Sequence, residues 1–253
     1  MSISLQNITL GYGSRTLLKA VSAEFHSGQL TALLGRNGTG KSTLLRAITG
    51  LGALQSGTIQ LCGTALTALT AQQLATCVSF VSTDKVRIAN LPCQDVVALG
   101  RAPYTNWIGQ MQETDRTIVT EALEQVGMRS FAHKTMDTMS DGECQRIMIA
   151  RALAQQTPII LLDEPTAFLD LPNRYEICNL LRRLAHQHKK CILFSTHELD
   201  IALTLCDAVA LIEPTQLHCL PTEAMVASGM IERLFSGENI HFDTATQRVL
   251  LKK

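Results

Sequence analysis

The chain has 253 residues, 46% of them hydrophobic, and its 22 basic side chains balance 22 acidic ones. This length allows one large domain or two small ones, and the apolar content excludes a disordered chain. The charge balance argues against a dedicated nucleic-acid-binding protein, which normally carries a basic excess. We therefore expect a folded chain with a sizeable core and no nucleic acid among its partners.

Short apolar runs alternate with amphipathic segments along the chain. Alternating or continuous apolar residues predict strands over residues 2–10, 29–34, 57–62, 77–82, Ile159–Leu162, 191–195 and 207–212. Apolar residues at helical spacing predict helices over residues 41–50, 114–126, 141–156 and 175–188. Residues 84–110 are expected to form loops and short helices, and residues 214–253 short strands and helices. Short buried strands that alternate with helices indicate an α/β fold with a largely parallel sheet.

Eight cysteines are spread over the sequence without a CxxC pair or zinc-finger spacing. This pattern predicts free, buried thiols in a reducing cytosol. No signal peptide is expected, because no basic stretch followed by an apolar run stands at the N-terminus. The apolar runs are shorter than the roughly 20 residues that cross a bilayer. We expect a soluble chain that only partner proteins could hold at a membrane.

A glycine-rich turn follows the predicted strand at 29–34 and precedes a predicted helix. It consists of Gly35, Arg36, Asn37, Gly38, Thr39, Gly40, Lys41 and Ser42, with Thr43 next in the chain. The turn matches the pattern GxxxxGK[ST] at every fixed position. Its glycines would let the backbone wrap around phosphates, Lys41 would reach the β- and γ-phosphates, and Ser42 would ligate Mg²⁺. The pattern predicts a phosphate-binding loop for Mg-ATP, and an ordinary turn is the alternative.

Two carboxylates, Asp163 and Glu164, directly follow the apolar run Ile159–Leu162. Ligands bind at the carboxyl ends of the strands in open α/β sheets. Adjacent residues of a strand point to opposite sides, so the two acids are expected to have different roles. Asp163 is predicted to hold Mg²⁺ through its water shell, and Glu164 to polarise the attacking water. A plain turn at the strand end is the alternative.

Further motifs occur in the order found in ABC-type ATPases. Residues 139–146 read Met-Ser-Asp-Gly-Glu-Cys-Gln-Arg and resemble the LSGGQ signature of that family. Tyr12 stands where an aromatic side chain stacks on adenine. Residues 167–170 look like the D-loop, and residues 195–198 look like the switch-histidine loop. Each motif alone could be an ordinary structural feature, so it is their order that supports the resemblance.

The resemblance implies a single ABC-type ATPase domain over residues 1–253. The expected fold is α/β, with a P-loop NTPase core built on a mixed sheet and a small antiparallel β-part. A helical subdomain at about residues 84–156 would carry the signature motif. A short C-terminal extension is expected at about residues 214–253.

The resemblance also implies a head-to-tail homodimer with a composite ATP site. One chain would supply the phosphate-binding loop, and Glu164, His197 and Lys41 would be its catalytic residues. The other chain would close the site with Ser140 and Gly142. The implied further partners are integral-membrane permease subunits and, indirectly, a periplasmic substrate-binding protein, with the chain peripheral at the cytoplasmic face of the inner membrane.

The sequence departs from the family pattern at three positions. Asp141 and Glu143 stand where the signature usually has glycine and glutamine. These carboxylates are expected to weaken nucleotide binding or to make it more dependent on Mg²⁺. Thr83 aligns with the glutamine of the Q-loop, and its shorter side chain would reach Mg²⁺ or the attacking water only through a bridging water. The alternative for Thr83 is an ordinary strand-end residue.

Residues 95–104 resemble a segment of importer ATPases that serve iron–siderophore, haem and cobalamin uptake. The shared pattern is acid-x-Val-x-x-Gly-Arg-x-Pro, and residues 170–174 resemble the same group. The resemblance favours the energising subunit of an iron-complex importer. The alternatives are a zinc or manganese importer, a soluble non-transport ABC ATPase, and a nucleotide switch with little turnover.

Overall fold

The computed structural model describes residues 2–13, 15–84, 90–105, 110–234, 239–244 and 246–252. Parts of the predicted regions 84–110 and 214–253 therefore lie outside the described residues. The strands are β1 (Ile3–Tyr12), β2 (Arg15–Phe25), β3 (Leu30–Leu34), β4 (Ser56–Leu61), β5 (Thr64–Ala65), β6 (Val78–Val81), β7 (Ile159–Leu162), β8 (Cys191–Thr196), β9 (Ala208–Glu213), β10 (Gln216–Pro221), β11 (Ile240–Asp243) and β12 (Arg248–Leu251).

The helices are α1 (Lys41–Ile48), α2 (Ala71–Cys77), α3 (Cys93–Ala98), α4 (Glu113–Gln125), α5 (Asp141–Ala154), α6 (Leu171–Gln187), α7 (Leu199–Leu205), α8 (Thr222–Ala227) and α9 (Met230–Leu234). Short 3₁₀ turns lie at Leu66–Ala68, Leu99–Tyr104, Arg129–Phe131 and Met136–Thr138. Within the described ranges, no helix combines the length and the apolarity that crossing a bilayer requires.

The main sheet has the strand order β10-β9-β3-β8-β7-β6. All its neighbouring strands are parallel except the antiparallel pair β9 and β10. A second, antiparallel sheet has the order β2-β1-β4-β5, and β11 pairs with β12. The predicted α/β class, the mixed sheet and the small antiparallel part are thereby confirmed.

The core lies on both faces of the main sheet, and every residue of β3, β7 and β8 is buried. Along β3, Ala32 and Leu34 pack into the cluster that contains the apolar sides of α4, α5 and α6. Leu33, between them, packs into the cluster that contains α1 and the antiparallel sheet. Burial on both faces explains why these strands are continuous apolar runs in the sequence.

The Gly-Arg segment at residues 100–101 packs against the C-terminal end of α5. A Cβ atom on Gly100 would lie 2.2 Å from the carbonyl oxygen of Arg151, so only glycine fits there. The buried Arg101 donates hydrogen bonds from Nε to Asp115 Oδ1 at 2.9 Å and from Nη1 to the carbonyl oxygen of Ala154 at 2.7 Å. Arg101 therefore joins the start of α4 to the end of α5, the helix that begins at the signature.

Four elements were not predicted, namely β2, β5, α2 and α7, and the reasons are clearest for β2 and α2. In β2, Ala20 adopts a left-handed backbone conformation with φ 51°. The buried positions on either side of it, Leu18 and Val21, are three residues apart, which breaks the alternation that identifies a strand. Helix α2 has no fully buried side chain, and only its partly buried Leu74 and Cys77 pack against the core, so its apolar pattern is too weak to recognise. A capping box between Thr70 and Gln73 starts the helix.

One predicted boundary was wrong, because α6 begins at Leu171 rather than at residue 175. The Asp170 side chain accepts a hydrogen bond from the backbone N–H of Asn173 and caps the helix. Pro172 is tolerated in the first turn, where the missing N–H has no intrahelical partner to lose.

All eight cysteines are free thiols, as predicted, but they are not all buried. Cys62 is exposed and Cys77 is partly buried, with their sulfur atoms 3.7 Å apart. Burial raises the pKa of the Cys191 thiol to about 12. The prediction of buried thiols is therefore wrong for Cys62.

Candidate active site

The predicted site residues follow the carboxyl ends of neighbouring parallel strands. Strand β3 ends one residue before Gly35, β7 ends one residue before Asp163, and β8 ends one residue before His197. Because these strands are adjacent in the order β3-β8-β7, three segments that are far apart in sequence meet at one sheet edge. This edge is where open α/β sheets bind ligands.

The phosphate-binding loop wraps around the side chain of its own lysine. Gly38 and Gly40 adopt left-handed conformations with φ 78° and 109°, which glycine does without steric cost. The buried Lys41 donates hydrogen bonds from Nζ to the carbonyl oxygens of Gly35 at 2.9 Å and Arg36 at 3.3 Å. Burial lowers the pKa of Lys41, and the nearby carboxylates of Glu164 and Asp163 oppose that shift.

Asp163 is held by two hydroxyl groups from different segments. Ser42 Oγ donates to Asp163 Oδ1 at 2.9 Å, and Ser195 Oγ donates to the same oxygen at 2.6 Å. The Ser195 hydroxyl also accepts a hydrogen bond from the backbone N–H of Glu164 at 2.8 Å. The fully buried Ser195 was not predicted as a site residue, although a polar side chain at the end of a buried strand is a usable signal.

The carboxylate of Glu164 lies between two cationic or potentially cationic groups. Its Oε1 is 4.0 Å from Lys41 Nζ and 3.8 Å from His197 Nδ1. The side chains of Glu164 and His197 are 26% and 54% exposed, so both are open to a ligand. Glu164 has a left-handed backbone with φ 48°, a conformation that costs a non-glycine residue about 1–2 kcal/mol. Such strain is typical of functional positions.

A cleft of about 450 Å³ lies beside the phosphate-binding loop. Its lining comprises Tyr12, Arg15, Leu17, Asn37, Gly38, Gly40, Lys41, Ser42, Thr43 and Glu164. Tyr12 is 64% exposed, and its hydroxyl is 3.3 Å from Thr43 Oγ1. Arg15 donates from Nη2 to the carbonyl oxygen of Gly38 at 3.3 Å. Arg15 and Leu17 were not predicted as site residues because they lie on β2, the unpredicted strand.

The signature residues lie elsewhere, since the described lining of this cleft includes neither Ser140 nor Gly142. Ser140 caps α5, and its backbone N–H and its hydroxyl both donate to Glu143 Oε2 at 2.8 Å. These hydrogen bonds lower the pKa of Glu143, and the one from the backbone N–H of Ser140 has the larger effect. The departure from glutamine therefore puts a carboxylate on the hydroxyl that the resemblance assigns to the γ-phosphate of a second chain.

Thr83 follows β6 and contacts the backbone of the acidic strand end. Its hydroxyl donates to the carbonyl oxygen of Asp163 at 3.0 Å. The hydroxyl proton is thus engaged by backbone, which favours the interpretation of Thr83 as a strand-end residue.

Thr83→Ala should therefore reduce ATP hydrolysis by less than tenfold, which is under about 1.4 kcal/mol of barrier. The substitution removes the hydrogen bond to the Asp163 carbonyl oxygen. It changes none of the side chains that line the cleft beside the phosphate-binding loop. Steady-state phosphate release measures the effect. Thr117→Ala is a matched control, because Thr117 donates a similar hydrogen bond to a backbone carbonyl on the exposed face of α4. A loss as large as that of removing the Glu164 carboxylate would contradict this interpretation.

The sequence of the chain is similar to those of a known family of proteins. The family model described as ABC transporter matches residues 18–167. The achromobactin transport ATP-binding protein of Dickeya dadantii is 37% identical to the chain over 210 residues, which cover 81% of this chain and 77% of that protein. The iron(3+)-hydroxamate import ATP-binding protein of Bacillus subtilis is 34% identical over 201 residues, which cover 79% of this chain and 75% of that protein.

A solved dimeric ATP-binding cassette, in a post-hydrolysis state with ADP and Pi, matches with a TM-score of 0.72. It is 26% identical to the chain, and the match covers 87% of this chain and 98% of that one. The fold and the cleft are those of an ATP-binding cassette. The chain belongs to the ABC transporter family, as one of its ATP-binding and ATP-hydrolysing subunits.

Proposed function

We propose that the chain is the ATP-hydrolysing subunit of an importer for a chelated metal, with iron(III)–siderophore complexes as the cargo. The ATPase function depends above all on the placement of the Glu164 carboxylate between Lys41 and His197 at the mouth of the phosphate-binding loop. The cargo class is supported by relatives named for achromobactin transport and for iron(3+)-hydroxamate import.

In this proposal several residues in and beside the cleft have separate roles in binding and hydrolysis. Tyr12 stacks on the adenine ring, and the backbone N–H groups of residues 35–43 hold the phosphates of ATP. Lys41 neutralises charge on the β- and γ-phosphates. Glu164 orients the attacking water and accepts its proton, while His197 supports Glu164 and the γ-phosphate. Catalysis is thus positioning together with charge stabilisation, as in phosphoryl transfer generally.

The residues beside the phosphate-binding loop fit a magnesium ion. The hydroxyl oxygen of Ser42 and the carboxylate of Asp163 are adjacent, and such oxygen atoms are the ligands that Mg²⁺ prefers. A magnesium ion held there by Ser42 and Asp163 would neutralise charge on the phosphates of ATP. Ser195 keeps the Asp163 carboxylate in place by its own hydrogen bond.

A second copy of the chain completes the site in this proposal. Ser140 and Gly142 are absent from the described lining of the cleft in their own chain, and in this proposal they close the cleft of another. Ser140 is exposed, whereas Gly142 is buried in its own chain. The dimeric cassette to which the chain is similar supports this arrangement. Before Ser140 can donate to a γ-phosphate, its hydroxyl must leave the Glu143 carboxylate, which disfavours closure.

The proposed further partners are two integral-membrane permease subunits and, through them, a periplasmic substrate-binding protein. The chain would then lie at the cytoplasmic face of the inner membrane as a peripheral subunit. We also propose that α3 to α5 form a helical subdomain at about residues 84–156, and that residues 214–253 form the C-terminal extension.

Uptake by cells of the source organism tests the proposed function. Deletion of the gene should abolish uptake of radioactive iron presented as a hydroxamate siderophore, and the wild-type gene should restore it, whereas the gene carrying Glu164→Gln should not. Labelled haem, cobalamin, zinc and manganese serve as alternative cargoes. Unchanged iron uptake in the deletion strain would contradict the proposed cargo, and unchanged uptake of all five would contradict a role in metal or metal-chelate import.

A further inference from the structure

The loop at residues 164–170 joins β7 to α6 and starts at Glu164. Two of its residues, Glu164 and Phe168, adopt left-handed backbone conformations with φ 48° and 65°. Neither is glycine, so neighbouring contacts must hold the loop in this shape. Two backbone hydrogen bonds lie inside it, from Ala167 N–H to the Glu164 carbonyl and from Leu169 N–H to the Thr166 carbonyl.

A carboxylate from the histidine loop holds this segment from outside. Glu198 Oε1 accepts a hydrogen bond from Thr166 Oγ1 at 2.8 Å. Glu198 Oε2 lies 3.3 Å from Arg174 Nη1, and Arg174 donates from Nε to the carbonyl oxygen of Leu169 at 2.7 Å. Thr166 is 2% exposed, so its hydroxyl is shielded from competing water. Glu198 thus holds the middle of the loop at Thr166, and Arg174 holds its end at Leu169.

The same contacts reach His197 through the chain. Glu198 directly follows His197, and its backbone N–H donates to Thr196 Oγ1 at 3.0 Å. The side chain of Glu198 is hydrogen-bonded to Thr166, and its backbone is hydrogen-bonded to Thr196. Together these contacts restrict the movement of the histidine loop. The contacts close a ring that runs from Glu164 through Thr166, Glu198 and His197 back to the Glu164 carboxylate.

We propose that Glu198 is a positioning residue that fixes Glu164 and His197 relative to each other through Thr166 and Arg174. The inference rests on the proposed roles of Glu164 and His197 in hydrolysis. Among the described residues, the hydrogen bonds and ion pair of Glu198 involve Thr166, Thr196 and Arg174 and none of the phosphate-binding loop, so we expect nucleotide binding not to depend on Glu198. A small displacement of a group that orients the attacking water lowers the chemical rate, and about 1 Å can cost 100-fold.

Four variants test the proposal in steady-state hydrolysis assays. Glu198→Gln keeps the size of the side chain but removes the ion pair with Arg174, and kcat should fall at least about tenfold. Thr166→Val removes only the hydroxyl and should give a similar loss, whereas Thr166→Ser keeps the hydroxyl and should stay near wild type. In each case the KM for ATP should stay within about twofold, because the binding cleft is unchanged. Glu121→Gln, at an exposed position of α4, controls for the loss of one carboxylate.

The double variant Glu198→Gln with Thr166→Val should lose little more activity than either single variant, since both substitutions disrupt the same chain of contacts from Thr166 through Glu198 to Arg174. A kcat within twofold of wild type for both single variants, or losses that appear in KM rather than in kcat, would overturn the proposal. If Glu198→Gln fails to fold, the kcat values of Thr166→Val and Thr166→Ser test the proposal instead. Equal values for these two variants would overturn it. Glu164→Gln is measured alongside, because its loss of turnover tests the proposed function separately from the role of Glu198.

Discussion

Glu164→Gln should lower ATP turnover at least about 100-fold while ATP binding is preserved, since the amide cannot accept the proton of the attacking water. Glutamine has the same size, so the backbone contact from Glu164 N–H to Ser195 should persist. Lys41, Ser42 and the phosphate-binding loop, which hold the nucleotide in the proposed site, are not altered. Phosphate release and nucleotide binding measured on the same preparation separate the two effects.

Glu121→Gln is the matched control for this substitution, because it changes an exposed glutamate of α4 in the same way. It should hydrolyse ATP at the wild-type rate. A Glu164→Gln protein that keeps more than about a tenth of wild-type turnover would remove Glu164 from the role of general base.

Asp115→Asn should lower the free energy of unfolding by about 3 kcal/mol, because it leaves the buried Arg101 guanidinium without its carboxylate. The remaining acceptors of Arg101 are the carbonyl oxygen of Ala154 and the side chain of Gln156, which do not carry charge. Urea unfolding measures the difference. Glu124→Gln breaks the exposed pair with Arg129 and should cost no more than about 1 kcal/mol. Equal effects of the two substitutions would contradict the account of the buried pair.

The ion pair between Arg101 and Asp115 also leads us to expect a particular dependence of stability on pH. Hydrogen bonding from the backbone N–H of Gln112, together with Arg101, lowers the pKa of Asp115 in the folded protein. A lowered carboxyl pKa stabilises the fold fully above the unfolded value, near pH 4, and that contribution disappears as the pH falls through the folded value. The difference in stability between wild type and Asp115→Asn should therefore be constant near neutrality and shrink below about pH 4. A difference that grows on acidification would contradict this assignment.

Much of the site was predictable because each of its motifs is contiguous and directly follows a buried apolar strand. The turn at residues 35–42 and the acids at 163–164 could be located from local pattern, whereas His197 was assigned through the order of the family motifs. Their meeting at one sheet edge follows from the parallel pairing of β3, β8 and β7, which such runs favour.

The supporting contacts were not predictable, because they join segments that are distant in sequence. Ser195 bonds to Asp163 across 32 positions, and Thr166 bonds to Glu198 across the same separation. Neither side chain carries a spacing pattern that names its partner. The role of Arg101 was missed for the same reason, since the motif at residues 95–104 indicated a subfamily but not the contact with the end of α5.

The strand β2 shows how a single backbone irregularity conceals an element. The left-handed Ala20 shifts the alternation of buried and exposed side chains by one position. With that strand unpredicted, Arg15 and Leu17 could not be assigned to the nucleotide cleft, although both line it.

Sedimentation velocity of the Glu164→Gln protein with and without Mg-ATP tests the central claim, that ATP is bound and hydrolysed at a site shared by two copies of the chain. In the proposed dimer, ATP contacts both chains only in the closed state, so it would favour that state, and blocked hydrolysis should let the dimer accumulate. We expect a monomer or a weak dimer without nucleotide, and a shift to twice the single-chain mass at saturating Mg-ATP. The single-chain mass at every protein and ATP concentration, in a preparation shown to bind ATP, would contradict the claim.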